Sequence, residues 1–365
     1  MAESTTVRPT RVLFSLSRIR PTTNPYLVQL VGSLPDDVEV LFFSWRRALL
    51  GRYDAFHVHW PEVVLRKSTR MRTLAARLLY TLVLGRLSLT RTPIVRTIHN
   101  LEPYEQGSWF EQVLADGTDS RTRFWIRLND RTPVPDGAAA RTIPIGEPPA
   151  TFTQHEGPGV VRGRLLHFGL VRPYKGIEEL ITAFAGLPDP ELRLVIAGRC
   201  DDPAYREVVR AAADRDERIE LDLRHLSDEE LADEVSRAEL VVLPYRTMHN
   251  SSAALLALAM GRPVLVPDLE VTSDLADEVG ADWVQRYAGM LRTEHVRDAV
   301  TAVRGLREGT RPAMGARTWS SIGNAHAEVY QAMAARGEQR RALLDGSRER
   351  ALLDERREPA LRADT

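Results

Sequence analysis

A rhythm constrains this chain more than any single motif. Short runs rich in Val, Ile, Leu and Phe alternate with stretches of helical length, and the whole pattern occurs twice. In the first half the runs are Arg11–Leu16, Val38–Ser44, Ala55–Trp60 and Pro93–His99. In the second they are Leu165–Gly169, Leu192–Gly198, Ile219–Leu223, Leu240–Tyr245 and Pro263–Pro267. Runs that are apolar almost throughout suit strands buried on both faces, and such strands belong to parallel sheets covered by helices. The spacing therefore predicts an α/β protein with two doubly wound sheets in succession. The intervening helices carry start signals, such as Ser227 followed by Glu230, a capping box that opens a helix over Asp228–Ala238.

Between the two sets, Pro144, Gly146, Pro148, Pro149, Gly157, Pro158 and Gly159 crowd into a segment without apolar period. The expected organisation is a first domain over 1–145, a linker over 146–163 and a second domain over 164–318. A helix over 319–336 and a tail over 337–365 follow. The tail is dense in charge and repeats Arg-Ala-Leu-Leu-Asp at 341–345 and 350–354, which predicts a frayed helix or a disordered segment. Of the 365 residues 43% are apolar and 27% charged, the balance of a globular domain rather than of a disordered or membrane-spanning chain. The net charge of −1 offers no general attraction for nucleic acid. The single cysteine, Cys200, excludes an internal disulfide or a paired-cysteine zinc site, which fits a reducing compartment. Met1–Thr10 is polar and lacks the apolar core of an export leader, and Leu74–Leu89 is broken by Arg77 and Arg86. A cytoplasmic location is expected.

Two loops could carry chemistry. His167-Phe168-Gly169-Leu170-Val171-Arg172-Pro173-Tyr174-Lys175-Gly176 runs from a strand through a glycine turn into a helix. Lys175 is one of only two lysines, beside Lys67, in a chain whose other 47 basic residues are arginine. Two cations beside a helix N-terminus, at the carboxyl end of a parallel strand, suit a diphosphate; a solvated surface turn is the alternative. One strand further along, Asn250, Ser251 and Ser252 open an Ala/Leu helix whose first amides could face the same anion, or could simply be capped.

The strand-Gly-x-x-Arg-x-x-Lys-Gly-helix pattern, followed by Ala259-Met260-Gly261-Arg262-Pro263-Val264, resembles the donor half of GT-B glycosyltransferases. Phe56-His57-Val58-His59-Trp60-Pro61-Glu62 and Thr97-Ile98-His99-Asn100-Leu101-Glu102-Pro103-Tyr104-Glu105 resemble bacterial β-mannosyltransferases that extend lipid-linked exopolysaccharide repeats from GDP-mannose. The resemblance spans most of 11–336. It implies two Rossmann-like domains facing a cleft, with a nucleotide sugar as donor and a saccharide or lipid-linked acceptor. By the same resemblance Gly169, Arg172, Lys175, Asn250, Ser251 and Ser252 hold the donor, His59, Trp60 and Asn100 meet the substrate, and Glu105 first, Glu62 second, or else His99 or Glu102 supplies the general base. Many retaining members carry two glutamates eight positions apart where this chain has Met248 and Leu256, a departure that permits an inverting displacement. An epimerase of the same fold and a catalytically silent carbohydrate- or lipid-binding relative are the alternatives. With cations against the phosphates, no obligatory metal or other cofactor is expected.

Charge is unevenly placed. Residues 41–100 hold eleven Arg or Lys, all within 46–96, against two acids, Asp54 and Glu62. Together with Leu74, Leu78, Leu79, Leu82 and Val83 this predicts a basic amphipathic helix against an anionic membrane surface, at the inner face of the cytoplasmic membrane; a helix packed on its sheet with solvated arginines is the alternative. The patch has no recognised nucleic-acid module, so no nucleic-acid partner is expected.

Overall fold

The computed structural model describes residues 8–20, 23–99, 108–246, 248–307 and 310–336. It divides into two compact units, one formed by 1–144 with 319–365 and one by 145–318. Among the described residues each unit holds one parallel sheet of six strands.

In the first unit the strands are β1 (Thr10–Phe14), β2 (Val38–Phe42), β3 (Ala55–Val58), β4 (Ile94–Ile98), β5 (Thr122–Arg127) and β6 (Ala140–Thr142), in the order β2-β1-β3-β4-β5-β6. The chain steps outward from β1 to β2 and then returns to the far side of β1 for β3. The strand order thus reverses between β1 and β3, where open α/β sheets leave a crevice at the strand ends. The second unit repeats this with β7 (Arg164–Phe168), β8 (Arg193–Ala197), β9 (Ile219–Asp222), β10 (Leu240–Val242), β11 (Val264–Pro267) and β12 (Val284–Tyr287), in the order β12-β11-β10-β7-β8-β9. Its reversal lies between β7 and β10. Leu165 and Leu166 are both fully buried but join different apolar clusters, one on each face of the sheet. That two-sided burial is why the strands read as continuous apolar runs.

The β/α reading holds for both halves, and the capping box at Ser227 is present with both of its hydrogen bonds. Strands β5, β6 and β12 were not legible in the sequence. The stretch expected as a linker contains the helix Ala150–Thr153, whose Phe152 is buried in the core of the second unit. The helix over 319–336 packs within the first unit, where its Gly323 meets the carbonyl of Ser33 so closely that a Cβ would overlap it. Gly323→Ala is expected to destabilise the first unit by about 1–3 kcal/mol through overpacking, read as a lowered melting temperature.

Candidate functional site

In the first unit the site grows from two matched strands. Strand residues two apart share a face, so His57 and His59 line up beside Thr97 and His99 on the neighbouring strand β4 and its exit. The result is a polar ladder. His57 Nε2 lies 2.8 Å from Thr97 Oγ1, and His59 Nδ1 lies 3.0 Å from His99 Nε2. Ser15, just past β1, accepts the His59 backbone N–H at 3.1 Å and so fixes the ladder at the reversal point of the sheet.

Aromatic side chains close around it. Trp60 stacks on His99 with ring centroids 4.0 Å apart, and Tyr26 meets His99 edge-on at 5.1 Å. From the 319–336 helix, Tyr330 OH lies 2.7 Å from His57 Nδ1, and His326 Nε2 lies 3.4 Å from Tyr26 OH. His326 donates from Nδ1 to the Ile322 carbonyl. His57 and Tyr330 are separated by 273 residues, and no sequence spacing could have joined them.

Four imidazoles in one apolar enclosure must stay neutral, because burial penalises the charged form and each charged ring would repel the others. Burial first, and the neighbouring histidines second, hold His57 and His59 far below the usual range. Burial pushes His99 down to about 3 and His326 to about 4. The protons can be placed by cost. Among the described residues His59 Nε2 is buried with no hydrogen-bond partner. A bare lone pair there costs less than an unsatisfied N–H, so His59 carries its proton on Nδ1 and donates to His99 Nε2. His99 is then protonated on Nδ1, with its acceptor nitrogen engaged.

Glu62 is half-buried in the first turn of the helix Pro61–Leu65, where its charge suits the helix dipole. Asn100, Glu102 and Glu105 lie outside the described residues. The first unit therefore brings His59, Trp60 and His99 together, whereas the one charge that the described residues set near Glu62 is Arg96, which alternates with Thr97 along β4 and so belongs to the other face of the sheet. The unit also adds His57, Tyr26, His326 and Tyr330, which the sequence did not single out.

In the second unit the two expected loops leave adjacent strands, β7 and β10, at the reversal point. They are tied by their backbones: the Arg246 N–H donates to the Tyr174 carbonyl at 3.0 Å. Gly176 has φ +67°, and a Cβ there would run into the Pro244 carbonyl, so only glycine lets the first loop lie against the second. The Arg246 guanidinium bonds Glu179 at 2.9 Å, which adds a side-chain clasp.

Lys175 sits at the centre of this junction, 8% exposed, beside Gly169. Its ammonium donates to Tyr245 OH at 3.2 Å and lies over the Tyr245 ring, 4.7 Å from the centroid. Burial, helped by the Arg172 guanidinium, pushes it down to about 8. Arg172 itself is exposed, at the head of the turn Pro173–Lys175. Ser251 caps the helix Ser252–Ala259, accepting the Ala254 N–H at 3.2 Å, and half-buried Asn250 precedes it. Beneath Lys175, His167 donates from Nδ1 to the Val242 carbonyl and is held down to about 3 by burial and by the Lys175 charge. Met248 and Leu256, where many retaining enzymes of the resembling class carry glutamate, are buried in the apolar core. Tyr245, the platform under the lysine, was missed because one tyrosine at a strand end carries no periodic signal.

The Lys175 ammonium is thus buried with a hydroxyl and a ring for company, and among the described residues no carboxylate is paired to it. The family model of "Glycosyl transferases group 1" matches residues 162–303, which enclose this site. The chain is 45% identical over 319 residues to a GDP-mannose:glycolipid 4-beta-D-mannosyltransferase of Xanthomonas campestris pv. campestris, covering 87% of this chain and 91% of that one. Among solved structures, a glycosyltransferase from Rickettsia africae superposes with a TM-score of 0.61 at 10% identity, over 89% of this chain and 98% of that one. Sucrose-phosphate synthase from Thermosynechococcus elongatus gives 0.54 at 16% identity, over 93% and 100%. These two likenesses concern the fold.

Proposed function

The chain belongs to the family of the GDP-mannose:glycolipid 4-beta-D-mannosyltransferases, and from that premise we propose that it moves a mannosyl unit from GDP-mannose onto a glycolipid acceptor by direct displacement. It is a hexosyltransferase of the GT-B fold. The observation that carries the donor assignment is Lys175, a buried cation whose only side-chain hydrogen bond among the described residues is to the neutral hydroxyl of Tyr245. A nucleoside diphosphate supplies the missing negative charge, with Arg172 and the first amides of the helix Ser252–Ala259 adding to it. These groups balance charge on the departing diphosphate, and the reading needs no metal.

In the displacement, the acceptor oxygen bonds to the anomeric carbon as the bond from that carbon to the diphosphate oxygen breaks. The acceptor hydroxyl gives its proton to a carboxylate of the first unit, Glu105 or, second, Glu62. Neutral His99, with Nε2 held by His59, positions rather than deprotonates, and Trp60 stacked on it offers an apolar face for a sugar. The apolar residues at Met248 and Leu256 permit inversion. The enzyme would act at the inner face of the cytoplasmic membrane, where a lipid-linked acceptor is found. No helix among the described residues is long and apolar enough to cross a membrane.

Calorimetric titration with GDP, UDP and ADP, with EDTA and then with magnesium, tests the donor site. GDP-selective binding that ignores magnesium is expected; UDP preference would replace the sugar nucleotide, and no binding would refute the site. Lys175→Ala should weaken GDP by roughly ten- to a hundredfold, the worth of one or two charge-assisted hydrogen bonds. A diphosphate favours the charged ammonium, so wild-type affinity should fall as pH rises through about 8, and Lys175→Ala should flatten that slope.

A further inference from the structure

The helix Arg70–Thr90 is apolar on two opposite sides. One side is packed within the first unit through Ala76, Tyr80, Val83, Leu84 and Leu87. On the other, Met71, Leu74, Leu78, Leu82 and Leu89 are 77%, 51%, 56%, 59% and 87% exposed. Residues spaced three, four and seven apart fall on one line along a helix, so these five form a stripe ~27 Å long at 1.5 Å per residue. Monomeric surfaces scatter such side chains singly, and a continuous row marks a partner.

Charge identifies the partner. The sequence count treats the arginines of 46–96 as the membrane contact, but several of them are turned inward. Arg77 bonds Glu111 at 2.9 Å, and Arg66 bonds it at 3.3 Å. Arg86 donates to the carbonyls of Ala48 and Gly51, and Arg96 pairs with Asp119. Arg77 and Arg86 therefore do not interrupt the stripe. The helix carries no acidic residue, and exposed cations stand at its ends, Lys67, Arg70 and Arg72 at one and Arg91 at the other. Beside its C-terminal turn, a pocket of about 330 Å³ is lined by Arg8, Arg52 and Arg86 with Asp54 as its single acid. A second copy of the chain would set cations against cations in either orientation, whereas phospholipid offers acyl chains to the stripe and phosphates to both ends.

We propose that the Met71–Leu89 face of this helix seats the protein on an anionic lipid bilayer, with the leucines entering the acyl boundary and the end cations on headgroup phosphates. The glycolipid reading above supplies the reason for such a seat. Because apolar insertion does most of the holding, the attachment resists salt, unlike one made by surface arginines alone.

The test is sedimentation of the full chain with vesicles of phosphatidylglycerol and phosphatidylethanolamine. Wild type should bind and stay bound in concentrated NaCl, and Leu74→Ser/Leu78→Ser/Leu82→Ser should lower partitioning at least about tenfold. A dye on Leu78→Cys should shift to the blue with vesicles, Cys200 being buried. Wild type that ignores vesicles, a triple variant that binds undiminished, attachment stripped by salt, or a lipid-free dimer that the triple substitution dissolves would each overturn the proposal. GDP affinity measured on the same samples should be unchanged by the triple substitution. If wild type failed to bind GDP, the donor reading would fall and the lipid result would stand.

Discussion

On acidification the first unit should lose its fold between about pH 6 and 4. His57, His59, His99 and His326 are all held below the ordinary imidazole value, His99 at about 3 and His326 at about 4. The sign follows from where the protons bind. Above about 6.5 the rings are neutral folded or unfolded, and the stability they permit is fully present. Below it the unfolded chain takes up protons that the folded unit refuses, so stability falls with pH until the folded values are reached. Unfolding near pH 5 should take up about four protons from this cluster. Among its described residues the second unit holds His167 as the one fully buried histidine and should be less sensitive. Thermal melts followed by circular dichroism from pH 8 to 4.5 check this. A first unit that melts at one temperature throughout would show that the cluster is not held neutral.

Glu105→Gln is expected to slow transfer by about 10²–10⁴ while leaving GDP affinity unchanged, the range for loss of a general base. The cluster geometry sharpens the choice between carboxylate and imidazole. For His99 to accept a proton it would have to break its bond to His59 and carry a charge where burial and His326 oppose it. Glu62 stands half-buried at a helix start, outside that cluster of rings. If Glu105→Gln transfers like wild type and Glu62→Gln does not, the base is Glu62. His99→Gln should alter the acceptor KM more than kcat, as expected of a group that positions.

The fold was legible where strands are buried on both faces, because burial writes itself as an unbroken apolar run. It was illegible at β5, where Arg123 and Arg127 interrupt the pattern, and at β6 and β12, edge strands of three and four residues. The two loops after β7 and β10 were legible as neighbours because each follows a strand end with glycine or small polar residues opening a helix. The histidine cluster was only half visible: period two aligns His57 with His59, but nothing local announces that His326 and Tyr330 arrive from the far end of the chain. Helix Arg70–Thr90 carries a different lesson. Periodicity shows which residues share a face, but it cannot say which face turns inward when both are apolar, and partners such as Glu111 and the Gly51 carbonyl draw Arg77 and Arg86 inward while Leu74, Leu78 and Leu82 face out.

The first unit is assembled from both ends of the chain, with 145–318 inserted between them. During synthesis the inserted unit has all its residues well before the first unit does, although it begins later. Until the 319–336 helix emerges, His57 lacks Tyr330 and Tyr26 lacks His326, and the strand ends of the first unit stand open to water. The ribosome therefore releases a chain whose second unit can already be folded and whose first unit is completed last, so a truncation anywhere after 318 and before 330 should yield a folded second unit that cannot build its other half.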